Sequence, residues 1–226
     1  MRKRIAFLWI GTCTISAGIA CMAKGAIGMS PLSTCPFVLS CLFARISLGE
    51  WVLLWNMLFA LLQIPLEGRN YRAYMLLQIP LAFLLGYVTD FAKYLLEPVP
   101  AQWYAVKALL VLLGTMLTAL GVYLTVEAGL IMNGPEAFLQ SIAGRTGCAF
   151  GTLKIIFAVA NVLLAILLSI SIMGEWIGIR EGTVFLALGT GFFVNLYGKL
   201  LMKKEKVSHF CNGEKHILND KMVGFS

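Results

Sequence analysis

The sequence predicts an all-α protein of the lipid bilayer, on three observations. The chain is 59% apolar and 13% charged, against roughly 25% charged residues in soluble domains. Its mean hydropathy is +0.84. Its charges are also segregated, leaving windows of about 20 residues nearly free of them, the length a helix needs to cross about 30 Å of hydrocarbon. Helices are the expected element because they satisfy their own backbone hydrogen bonds in lipid.

Six spans are expected, over about 5–23, 50–67, 73–93, 104–126, 151–173 and 181–200. The first follows "MRKR", a basic start that also suits a secretory signal. Gly18 stands three residues before Cys21, where a lipoprotein cleavage site carries an aliphatic residue, so the segment is expected to be retained. The second is bounded by Pro65, Glu67 and Gly68. Between the third and fourth, "LEPVPAQW" (96–103) breaks the helix with two prolines, residues that supply no N–H and clash with the preceding turn. Residues 1–206 form one transmembrane domain, and 207–226 form a short polar tail.

The net charge of +7 gathers at the two ends and flanks the spans, so it speaks for membrane orientation rather than for nucleic acid. With the N-terminus inside, Arg2, Lys3, Arg4, Arg69, Arg72, Arg145, Lys154, Lys199, Lys203, Lys204, Lys206, Lys215 and Lys221 are cytoplasmic. Lys24, Arg45, Lys93, Lys107 and Arg180 lie outside. That bias follows the positive-inside rule and puts both termini of a multi-pass cell-membrane protein in the cytoplasm.

The two halves echo each other. A shift of 105 lays Asn56 and Ala60 on Asn161 and Ala165, and Ala82, Gly86 and Asp90 on Ala187, Gly191 and Asn195. A shift of 103 lays Gly11, Thr12 and Gly18 on Gly114, Thr115 and Gly121. Positions four apart share a helix face, and small residues on that face let helices approach closely in lipid. Three spans per copy make the second copy run opposite to the first. The expectation is two inverted three-helix repeats, about 5–93 and 104–200, an arrangement common in secondary transporters. The alternative is a duplication that built a stable bundle and no more. The same stripes suit either a homodimer or packing within one chain.

Each half interrupts itself after its first span. "GAIGMSPLSTCPFVLSCLFARISLGE" (25–50) and "LIMNGPEAFLQSIAGRTG" (130–147) carry Gly and Pro, then a stretch too short to span, then Arg45 or Arg145. Pro31 and Pro135 suit the first turn of a helix, where the missing N–H costs nothing. Two readings stand: half-helices entering the bilayer within protein, or linker helices lying at the headgroups. A half-helix start carries about half a positive charge and offers free N–H groups to an anion or carboxylate.

"GPEAFLQSIAGRTGCAFGT" (134–152) resembles the Gly-Pro, Arg/Lys-Thr-Gly and Phe-Gly-Thr pattern of the YczE/YyaS/YitT group of bacterial membrane proteins. "GMSPLSTCPFVLS" and "NMLFALLQIPL" are similar to the group's first-half segment, and the resemblance covers residues 5–200. Glu136 stands where many members carry an aromatic residue. The resemblance implies a cytoplasmic-membrane protein, with transport or an accessory role in biosynthesis as the activities in view.

A carboxylate near the bilayer centre costs about 2.5–3.5 kcal/mol on insertion scales, so Asp90 draws notice, with Lys93 as a nearby partner. The expected substrate-binding set is Asn56, Asp90, Pro135, Glu136, Asn161 and Asn195. Gln63 and Gln78 arise from "LLQIPL", present at 61–66 and again at 76–81; the echo is read as coincidence. Cys13, Cys21, Cys35, Cys41, Cys148 and Cys211 show no zinc or redox spacing, and neither His209 nor His216 has a second ligand nearby. No metal or other cofactor is called for. With no Ser-His-Asp set, no His-Glu-x-x-His and no phosphate loop, the chain is not expected to be an enzyme. The leading expectation is a secondary small-molecule transporter with a polar site between its halves. Its rival is a non-transporting membrane scaffold or regulator.

Overall fold

The computed structural model describes residues 2–68, 76–129, 132–148, 150–173, 193 and 196–197. The expected sixth span, the tail and Asn195 lie outside them. The described residues form seven helices: α1 Arg2–Gly25, α2 Thr34–Leu42, α3 Leu48–Glu67, α4 Gln78–Leu95, α5 Tyr104–Ala128, α6 Gly134–Thr146 and α7 Phe150–Met173. Four stretches are long and apolar enough to cross a membrane: Arg4–Gly25, Leu48–Glu67, Tyr104–Ala128 and Phe150–Ile172. The expected third span corresponds to α4, which starts five residues later than expected and is not among those four. It is 18 residues long, about 27 Å at 1.5 Å per residue.

Neighbouring side chains fix the helix directions. Leu8 clusters with Leu81, Ser16 Oγ donates to Leu85 O at 3.0 Å, and Lys24 Nζ donates to Glu97 O at 3.1 Å, so α1 and α4 are parallel. Gly49 meets Gly86 while Gln63 meets Gln78, so α3 and α4 are antiparallel. On α1 and α5, Gly11 abuts Gly121, Gly18 abuts Gly114, and Gly25 abuts Val111, again antiparallel. This last crossing is reciprocal under the 103-residue shift: each glycine faces the counterpart of the other one. Thr12 and Thr115, both fully buried, repeat the same bond to the carbonyl four residues back, at 2.8 and 2.7 Å.

The core of the bundle lies where α1, α3, α4 and α5 meet, around Ile15, Ile19, Met22, Val52, Leu85 and Val111. Outward faces keep large apolar residues, among them Leu61, Phe91, Leu109, Ile155 and Leu163. An aqueous solvent would disfavour that surface and lipid favours it.

The two short helices begin inside the bundle. Along α6, Gly134 touches Asn56, the Phe138 ring lies tilted at 5.3 Å from that of Phe59, and Gln63 Nε2 donates to Ser141 Oγ at 3.0 Å. So α6 starts level with Asn56, the ninth of twenty residues of α3, and runs parallel to α3 toward its C-terminal end. Asn133, Pro135 and Glu136 share one small space with Thr118 and Val122 of α5, so α6 begins deeper in the bundle than α5 ends at Ala128. The first half does the same from the opposite end. Ala26, in the left-handed region at φ 54°, turns the chain back from α1. Glycine would be easier there, but the neighbouring Gly25 is held at the α5 contact, where a Cβ would stand 2.9 Å from Lys107 O. The turn through Ile27, Met29 and Ser30 is buried, and α2 starts against the middle of α7. There Cys35 Sγ donates to Asn161 O at 3.2 Å, and Val38 packs on Ala165.

The echo of "LLQIPL" has a structural role. Where α3 and α4 run antiparallel, the glutamines of the two copies meet, and Gln78 Nε2 donates to Gln63 Oε1 at 3.0 Å. With Ser141 this chain joins α3, α4 and α6, and all three residues are buried. A buried amide left unbonded costs about 1–3 kcal/mol; these bonds satisfy both amide groups of the pair except Gln78 Oε1, which is buried without a partner.

Candidate functional site

A cavity of about 60 Å³, room for roughly four waters, lies where the two short helices start. Ser30, Ser33 and Pro36 reach it from the start of α2, and Asn133, Pro135 and Glu136 from the start of α6. Ile15 and Ile19 of α1, Val52, Trp55 and Asn56 of α3, Leu85 of α4, and Thr118 and Val122 of α5 complete the wall. Two helix starts thus open onto one small, largely apolar space.

The two starts differ in charge. Helix α2 has Ser33 at its N-cap with no side-chain bond and no acid in its first turn. Its partial positive end is unopposed by any side chain of its own. Helix α6 carries Glu136 in its first turn. The carboxylate is 11% exposed and pairs with Lys154 Nζ at 2.9 Å, whose side chain is 39% exposed. A buried charge needs such a partner, and α7 supplies it from its second turn. The ammonium also stands 6.0 Å from the Phe150 ring centroid, within cation–π reach.

Three of the six expected site residues, Asn56, Pro135 and Glu136, line the cavity. Asn56 Nδ2 donates to Val52 O at 2.8 Å, and Asn161 Nδ2 to Phe157 O at 2.9 Å, the same local bond in each half. Asn161 is buried behind α2 with its Oδ1 unpartnered and does not line the cavity. Asn195 lies outside the described residues. Trp55, Thr118 and Lys154 were not among the expected residues. Trp55 Nε1 and Thr118 Oγ1 are buried without partners. Lys154 carries one signal in the sequence: it is a lone charge inside an otherwise apolar run.

Asp90 stands apart, at the far end of α4. Its carboxylate accepts from Ser47 Oγ and from Gly49 N at 2.7 Å, and Lys93 is not among these partners. Ser47 and Glu50 close a capping box on the same helix start, with bonds of 3.0 and 2.7 Å. Asp90 therefore extends the cap of α3 from a neighbouring helix, satisfying N–H groups that have no intrahelical partner. Asp90→Ala is expected to cost about 1–2 kcal/mol, with Asp90→Asn intermediate because one acceptor oxygen survives. Thermal unfolding in detergent checks this, and the pair Asp90→Ala and Ser47→Ala should be less than additive.

Among the described residues no group of three His, Cys, Asp or Glu side chains is placed to hold a metal. Comparison with known proteins gives no match among curated proteins and none among solved structures. A model of one protein family, described as a family of unknown function (DUF6198), matches residues 2–199, and the chain belongs to that family.

Proposed function

We propose that the protein is a secondary carrier of a small molecule in the bacterial cytoplasmic membrane, built from two inverted halves with both termini cytoplasmic. The observation that carries the proposal is the meeting of both short-helix starts at one cavity halfway through the bundle. Non-helical backbone at that depth is tolerated where protein buries it or where it lines a cavity. Such broken helices hold substrate in transporters that work by rocking one half against the other. The buried turn before α2 and the buried first turn of α6 favour re-entrant half-helices over linkers at the headgroups.

The reciprocal α1–α5 crossing supports the inverted repeat. So does the exchange of partners between halves: α2 packs on Asn161 of the second half, and α6 on Asn56 of the first. Asn56, Pro135 and Glu136 are proposed to touch substrate, with Asn161 seating α2 behind them. The motif that resembles the YczE/YyaS/YitT group falls on α6 and the start of α7, so kinship with that group belongs to the same proposal.

The test needs no substrate. In a chain whose native cysteines are replaced, Ser33→Cys is offered to a charged, membrane-impermeant methanethiosulfonate from each side of a sealed vesicle. A carrier exposes the cavity to both sides in turn, so labelling from either side is expected. Labelling from neither side describes a closed scaffold and rejects the carrier, as does labelling from one side alone.

A further inference from the structure

We infer that the cavity recognises a small primary amine as its ammonium ion, and that Lys154 is a tethered stand-in for that ligand. The use of the site rests on the carrier reading; the recognition chemistry rests on the Glu136–Lys154 pair.

Among the described residues Glu136 is the cavity wall's single ionisable side chain, and it is 8% exposed. Its Oε1 is held at 2.9 Å by an ammonium, the distance of a charge-assisted hydrogen bond. Lys154 does not itself line the cavity, but its bond shows what the Glu136 carboxylate accepts: a primary ammonium on an alkyl chain. The pair is lopsided by side chain, with Glu136 11% exposed and Lys154 39%. Lysine is a point charge on a flexible four-carbon stem, so it can withdraw toward the surface without leaving an isolated buried cation. Glu136 has no such freedom, since the first turn of α6 is fixed by the contact of Gly134 with the Asn56 backbone. When Lys154 withdraws, the enclosed carboxylate needs another cation.

The rest of the wall restricts which cation serves. The start of α2, with no acid in its first turn, repels positive charge and leaves Glu136 as the seat. About 60 Å³ of space admits a methylammonium-sized group, and a quaternary ammonium, having no N–H, cannot repeat the 2.9 Å hydrogen bond that Glu136 accepts. Trp55, Asn56 and Thr118 add polar contacts for the ligand's remaining groups. The α6 start is no seat for an anion, because it already has its carboxylate.

The experiment measures thermal unfolding of the purified full chain in detergent. Methylammonium chloride, sodium chloride and tetramethylammonium chloride are compared at equal ionic strength. Lys154→Met keeps the stem and removes the competing charge. Methylammonium should raise its midpoint by about 2–4 °C above the other two salts. The wild type should need roughly tenfold more methylammonium for the same shift, since Lys154 competes, and Glu136→Gln should show no selective shift at any concentration. The combined variant Glu136→Gln/Lys154→Met should lose the response as well.

Equal responses to all three salts in Lys154→Met overturn the inference, as does a methylammonium response that survives Glu136→Gln. A sodium response as large as the amine's overturns the amine class. If Lys154→Met does not fold, wild type against Glu136→Gln decides alone: a selective response lost in Glu136→Gln supports the inference, and any other result overturns it. Because binding is read rather than flux, an amine that binds to a cavity labelled from one side alone would sink the carrier and leave the ligand class standing.

Discussion

Gly18→Val is expected to be the most damaging single change to the folded protein. A Cβ at Gly18 would stand 2.7 Å from Gly114 O and 2.8 Å from Thr118 N, and closer still to Thr118 Oγ1. Two of those three obstacles are backbone, so rotamer changes cannot relieve the clash and the helices must separate. Separation would also open the neighbouring contacts, where a Cβ at Gly121 lies 2.6 Å from Gly11 O and one at Gly114 lies 2.8 Å from Gly18 O. Overpacking costs about 1–3 kcal/mol in ordinary cores and more where the obstacle is rigid. A loss of about 3 kcal/mol should lower the unfolding midpoint by roughly 6–12 °C for a chain of this size. Thr118→Ala should not rescue it, because the backbone obstacles stay. Gly144→Ala is the control: nothing lies within 4 Å of its Cβ, and trading glycine for alanine in a helix should gain a little stability. Similar losses for both variants would refute the close α1–α5 contact.

The second large effect is expected at Gly134. Its Cβ would collide with Asn56 O, and would lie 3.0 Å from Asn56 C and 3.2 Å from Asn56 Cα. Gly134→Val must push the start of α6 away from α3, at a cost of about 2 kcal/mol. It carries Glu136 with it, two residues along the same turn. The 2.9 Å contact with Lys154 and the shape of the cavity change together. Methylammonium affinity should therefore fall by tenfold or more, since each 1.4 kcal/mol of lost contact is a factor of about ten. Titration of the Lys154→Met background with and without Gly134→Val measures it. Unaltered affinity would mean that this glycine seats the helix but does not set the site. Gly18→Val acts through the crossing of α1 and α5, so at matched stability it should change amine affinity less than Gly134→Val.

Several features were legible along the chain itself. Low charge with long apolar runs specifies membrane helices, because burial in lipid depends on composition and length. Pro135 marks the start of α6, since proline tolerates the first turn of a helix, whereas Pro31 falls three residues before α2, whose first turn holds Pro36 instead. The Gly11/Gly18 and Gly114/Gly121 echo anticipates close packing, because only a missing side chain lets two backbones come that near.

Partner choice was not legible, because it depends on which faces meet across the bundle. Asp90 reads as a costly intramembrane charge, yet the fold gives it the free N–H and hydroxyl groups at the start of α3. Gln63 and Gln78 read as an accident until an antiparallel hairpin sets them face to face. Lys154 reads as a lone charge near the start of an apolar run, and only the packing of α7 beside α6 brings it to Glu136. The sequence by itself determined the class, the helices and where the chain interrupts itself, because local propensity and hydropathy act along the chain. Tertiary structure decided which interruption faces which, and so where the cavity and its charge lie, because those contacts join residues far apart in sequence whose mutual orientation no local rule encodes.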